Sequence, residues 1–175
     1  MLFTPIFVYA SDTNIAHILK NTKQYLQQRI NHNKQHKKLA IVFNLSKKTI
    51  THLQNTRKTH FSTPPGIFHD VSTYKHTPIA PMLSFYKFVA KNHIAIFFVI
   101  NDDHYDRNII IKNLSSAGYR RFKKIYLTRY AANIRKRIIN QGYNIVLNVD
   151  DQHNHLERNY ADKTIVIPKT YYFCS

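Results

Sequence analysis

A chain of 175 residues suits one well-cored domain and is short for two. Its hydrophobic content of 43%, with 12 Tyr and 11 Phe, excludes wholesale disorder, and no apolar run reaches the roughly 20 residues that a membrane-spanning helix needs. The 26 Lys and Arg face 9 Asp and Glu, a formal charge of +17 that attracts nucleic acid, an anionic membrane surface or acidic protein and carries no information on fold.

Residues 1–13 read either as an N-terminal extension or as the remnant of a secretory signal. The apolar stretch ends in Val8-Tyr9-Ala10-Ser11, a small-residue cleavage pattern, yet it lacks a basic start and is broken by Pro5. A single domain is expected over residues 14–175. Ile15, Ile18, Leu19, Tyr25, Leu26 and Ile30 recur at helical spacing, with Ser11, Asp12 or Thr13 available as a cap. After the polar stretch from Asn31 to Lys38, the run Leu39 to Phe43 predicts a buried strand. Little periodicity follows, and Pro64-Pro65-Gly66 marks a turn, so residues 51–78 read as a small cap or loop excursion.

Ile79, Met82, Leu83, Phe85, Tyr86 and Val89 lie on one side of a second predicted helix, which leads into a buried strand over Ile94 to Ile100. A helix over Arg107 to Ala117 closes at Gly118, and a strand follows at Ile125 to Leu127. The same pair repeats as a helix over Ala131 to Gln141, closed by Gly142, and a strand over Asn144 to Val149. The last apolar run, Thr164 to Ile167, stops at Pro168. Helices alternating with buried strands predict a mainly parallel sheet covered on both faces, with ligands at the carboxyl ends of its strands. Cys174 is the lone cysteine, so an intrachain disulfide and a thiolate metal cluster are excluded.

Three stretches carry a family resemblance. Lys38 to Ile50 (KLAIVFNLSKKTI) looks like an opening strand followed by an Asp-x-Asp-x-Thr motif. Ile96 to Asp102 (IFFVIND), running through Arg107 to Asn113–Tyr119 (NLSSAGY), is similar to a strand, a Thr-Gly-Arg motif and an Asn-Leu-x-x-Ala-Gly-Tyr segment. Arg135 to Gln152 (RKRIINQGYNIVLNVDDQ) matches Gly-Tyr-x-Ile-Val-x-Asn-x-x-Asp-Gln, and the end of the chain, Pro168 to Ser175, resembles a terminal Pro-x-x-Tyr-Tyr segment. Together they resemble the acid phosphatases of the haloacid dehalogenase (HAD) superfamily, subfamily IIIB, the branch that includes plant vegetative storage proteins. The resemblance implies a three-layer Rossmann-like α/β fold, phosphomonoester chemistry and a secreted or periplasmic location.

At the chemical positions the chain departs from that pattern. The resemblance puts a carboxylate that attacks phosphorus at position 44, where this chain has Asn44, an amide unable to form a stable acyl phosphate. The general acid corresponds to Ser46, a poor proton donor near neutrality, and Lys48 stands where the motif's Thr is expected, with Thr49 displaced by one. The phosphate-binding Thr corresponds to Ile100, and the Lys that offsets phosphate charge corresponds to Ala131. Asp151 keeps the position of the metal-binding acid. No intact catalytic set remains, and the inherited mechanism is expected to be lost, because survivors of a set that acts as a unit do not restore it.

The resemblance also places magnesium near Asp151, the Asn44 side-chain oxygen and the Ser46 carbonyl, with Asp150 beside them. Asp102, Asp103, Asp106, Asp150 and Asp151 follow two strands expected to be neighbours; with His104, His153 and His155 they form a candidate weak divalent-cation set. The same carboxylates equally suit helix caps and turns. No cofactor is expected to be required; magnesium is the one the resemblance admits.

Basic residues cluster too. Lys34, Lys37 and Lys38 precede the first predicted strand, Lys47 and Lys48 follow it, and Arg120, Arg121, Lys123, Lys124, Arg129, Arg135, Lys136 and Arg137 crowd a later stretch. Tyr119, Phe122, Tyr126 and Tyr130 among them either stack on bases or fill the core. The expected function is a catalytically silent, HAD-like scaffold that binds an anionic macromolecule: nucleic acid, acidic protein or an anionic membrane surface. The alternative is a residual or altered metal-dependent phosphohydrolase centred on Asp151.

Overall fold

Every apolar run read as a strand enters one sheet. The computed structural model describes residues 6–9, 15–45, 80–100, 106–150 and 160–167, the first of these by its backbone alone. Ten elements alternate along them: β1 (Ile6–Tyr9), α1 (Ile15–Asn31), β2 (Lys38–Leu45), α2 (Ala80–Lys91), β3 (Ala95–Ile100), α3 (Arg107–Ser116), β4 (Lys124–Leu127), α4 (Ala131–Asn140), β5 (Tyr143–Asp150) and β6 (Lys163–Val166). The six strands lie in the order β1-β6-β5-β2-β3-β4, and every pairing is parallel. This is the expected α/β architecture. One strand was not legible: Ile6–Tyr9, within the stretch read as an extension, pairs with β6 and forms an edge of the sheet. A four-residue run at the end of a sheet has too little periodicity to show itself. The expected excursion over residues 51–78 lies outside the described residues.

The strands read as continuous apolar runs because both faces are covered. On one face α1, α2 and α3 pack Leu19, Leu26, Phe85, Tyr86, Val89 and Leu114 against Ile41, Phe43, Ile96 and Phe98. Rings fill much of that layer. Phe43 lies 5.4 Å from Phe98 and 5.8 Å from Tyr86, and Tyr86 meets Tyr119 edge to face at 5.0 Å. Burying one such side chain stabilises the fold by about 1.5–3 kcal/mol. On the other face, α4 sets Ala131 and Ile138 over Ala40, Val42, Phe97, Val99 and Ile145. Tyr119 and Tyr126 are therefore core residues, which decides their reading as packing.

Three helices end alike. After α3, Tyr119 N–H bonds to Leu114 O and Gly118 N–H to Ser115 O, the paired bonds of a Schellman cap with Gly118 in the left-handed region at φ 87°. Gly142 closes α4 at φ 84°, its N–H on Ile139 O. Helix α2 closes by the same pair, Ile94 N–H to Val89 O and His93 N–H to Ala90 O, but the left-handed residue is His93, at φ 55°. Glycine takes that conformation without the steric penalty that a side chain brings.

Candidate functional site

The chain leaves β2 toward β3 on one side and returns through β5 on the other. Strand order reverses there, which opens a crevice at the carboxyl ends of β2 and β5, the usual ligand position in such sheets. Asn44 and Asp150 are register partners at that point, both wholly buried. The Asn44 amide nitrogen donates to Asp150 Oδ2 at 2.9 Å. Position 44, where the resemblance requires a nucleophile, thus presents an N–H to a neighbouring carboxylate.

Arg135 of α4 interacts with the carboxylate of this pair. The spacing of Ala131, Arg135 and Ile138 puts all three on the sheet-facing side of α4, and each is buried. Burial pulls the Arg135 pKa below the ordinary guanidinium value; the Asp150 carboxylate, and then Tyr160, push it back up. Asp150 and Arg135 are buried charges of opposite sign that interact, the arrangement a low-dielectric interior requires of ions. Arg135 therefore does not belong to the exposed anion-binding set, as the run of basic residues suggested: its place on the inner face of α4 removes it from solvent. The signal was in the sequence, in its helical spacing from Ala131 and Ile138.

Ile100 ends β3, fully buried, opposite Leu45 of β2. Ala131 begins α4 and is buried against the second face. Ser46, Lys47, Lys48 and Asp151 lie outside the described residues, as do Asp102, Asp103, His104, His153 and His155. The two strands that carry the acidic groups are not neighbours, contrary to expectation, because β2 lies between β3 and β5. Asp106 caps α3, accepting from Asn108 N–H at 2.7 Å. Among the described residues no three His, Cys, Asp or Glu come together as a metal site. Asp150 suits magnesium poorly: one of its oxygens accepts the Asn44 amide, and its counter-charge is a buried guanidinium that would repel a second cation.

The described, exposed members of the expected anion-binding set fall in two places. Lys136 and Arg137 lie on the outer side of α4. Arg120, Arg121, Lys123 and Lys124 surround the start of β4, at the opposite end of the sheet from Asn44. The sequence reading missed His93 altogether; its signal was a non-glycine residue at a helix end where α3 and α4 carry glycine.

A six-stranded parallel sheet with helices on both faces, and polar groups gathered at its switch point, defines a Rossmann-like α/β domain. The sequence profile of the HAD superfamily, subfamily IIIB (acid phosphatase), matches residues 6–174, and the chain belongs to that family. Among curated proteins none matches it closely enough to count as a relative. No helix among the described residues is long and apolar enough to cross a membrane.

Proposed function

We propose that this chain is a catalytically silent member of the acid phosphatase family that serves as a basic scaffold for an anionic macromolecule. The observation that carries the reading is the Asn44 amide donating to Asp150. In a phosphoaspartate mechanism a carboxylate oxygen at position 44 must attack phosphorus, and an amide is neither anionic nor able to yield a competent acyl phosphate. The aliphatic Ile100 and the methyl of Ala131 extend the same argument to the groups that would hold phosphate and offset its charge. The Asp150 carboxylate, one residue before the acid assigned to metal binding, is engaged by Asn44 and by Arg135 and so is poorly placed to attack in its stead. The charge of +17 exceeds the roughly 2–8 that keeps a small domain soluble, which favours an anionic partner.

The test is a phosphomonoester hydrolysis assay on folded protein with magnesium, manganese and zinc supplied in turn. The expected result is no turnover, for the native chain and for Asn44→Asp alike. Turnover that Asp151→Ala abolishes would overturn the reading in favour of a metal-dependent phosphohydrolase.

A further inference from the structure

The strands start at a cleft. A cavity of about 710 Å³ spans the amino ends of β2, β3, β4 and β5, lined among others by His36, Lys37, Lys38, His93, Arg121 and Lys123. A second cavity of about 350 Å³ shares Ala90, His93 and Arg121 with the first and adds Lys87, Lys91 and Arg120. The two form one groove, and among the described residues neither lining contains an Asp or Glu. The described acid at this end of the sheet, Asp162, is paired with Arg29.

Its backbone is specialised as well. Among the described residues, the non-glycine positions with positive φ are His36 (48°), His93 (55°) and Arg121 (65°), and all three line this groove. Such conformations persist only where surrounding structure holds them, and they concentrate at binding sites. The holding groups are visible. Asn33 brackets the turn that carries His36, its Oδ1 accepting from Lys37 N–H at 3.1 Å and its Nδ2 donating to Lys37 O at 2.9 Å. Tyr86 donates its hydroxyl to Arg120 O at 2.8 Å, beside Arg121. Cationic side chains are thus presented on a fixed frame, and half-buried Phe122 and Tyr143, anchored edge to face on the core rings Phe98 and Phe97, line it with the part of each ring that stays exposed.

We propose that this groove binds a single strand of nucleic acid through its phosphates, with stacking on the rings. The inference rests on the reading of an anionic partner and adds its location and chemical class. Small-molecule sites enclose most of their ligand; these two adjoining cavities are both open to solvent, which suits a chain laid across them. A flat bilayer matches a concavity at the end of the sheet less well than a flexible chain does. Cations along a phosphate track with interspersed aromatic rings are how sequence-tolerant single-strand binding is built.

The test measures fluorescence polarisation of a labelled oligothymidylate of about 12 nucleotides, within the usual site sizes, across a salt series. Replacing Lys37, Lys38 and Lys123 together by Gln is expected to weaken binding about tenfold or more at low salt and to flatten the log–log salt slope by about 2, since each phosphate contact contributes about 0.7. Lys136→Gln/Arg137→Gln, on the outer side of α4, is expected to change affinity less than about twofold. His93→Gly should lower affinity while leaving the melting temperature unchanged or raised, a combination that a merely structural role would not give. Equal losses in the groove and α4 variants would overturn the site. If the oligonucleotide does not bind but polyglutamate or anionic vesicles do, this inference falls and the anionic-scaffold reading stands; if none binds, both fall.

Discussion

The two ends of the sheet handle charge in opposite ways. At the carboxyl end, around Asn44, Asp150 and Arg135, the charges are buried and answered within the domain. At the amino end, around Lys37, Lys38, Arg121 and Lys123, they are exposed, of one sign, and lined by no described acid. Arg135 and Arg121 show the contrast within one residue type. The first sits 1% exposed beneath β5, where desolvation makes a compensating carboxylate necessary. The second lies in water on a left-handed backbone, where its charge remains available. Among the described residues, the charges at the customary ligand end are buried and of opposite sign, whereas those lining the groove at the other end are cations that face water.

The comparison breaks most directly at Arg135. Arg135→Met removes a buried counter-charge of the Asp150 carboxylate, and an expected loss of about 3–5 kcal/mol should appear in urea unfolding. Arg121→Gln, by contrast, should stay within about 0.5 kcal/mol of the native value. Similar losses for both would end the distinction between a buried, compensated cation and a free one.

Asn44→Asp sharpens it next. Two buried carboxylates would then face each other at the distance now spanned by a hydrogen bond, so one must hold a proton above its ordinary pKa of about 4. The folded state then binds the proton more tightly than the unfolded chain does. The sign follows: the variant's deficit, about 1–3 kcal/mol near neutrality, should shrink as pH falls toward 4 and grow as it rises from there. Unfolding curves at several pH values check it, and a deficit independent of pH would show that Asp150 is not the group that Asn44 answers.

The smallest effect separates backbone from packing at the helix ends. Gly142→Ala should cost about 1 kcal/mol from its positive φ alone, since an added methyl at that position meets nothing within 4 Å. Gly118→Ala has the same backbone strain and brings its methyl to 3.2 Å from Leu83 Cδ1, so it should cost a few tenths of a kcal/mol more. Thermal denaturation of the two variants, with the chain otherwise unchanged, gives the difference.

Much of the fold was legible because parallel strands covered on both faces must be apolar throughout, as Leu39 to Phe43 and Ile94 to Ile100 are. Helix ends were legible where glycine marks the left-handed residue, at Gly118 and Gly142. The candidate site was less so. Its positions could be named along the chain, Asn44 and Asp150 among them, but the hydrogen bond between them joins residues 106 apart in sequence. Likewise Arg135 reads as one member of a basic run, while the helix geometry removes it from that run.

The sequence by itself determined the alternation of helix and strand, the family, the asparagine at position 44 and the excess of positive charge, because all of these are properties of residue type and local period. Tertiary structure alone decided which cations face water and which acid. Burial and electrostatic pairing depend on distances between segments remote in sequence, and those distances exist only once β2, β5 and α4 have packed together.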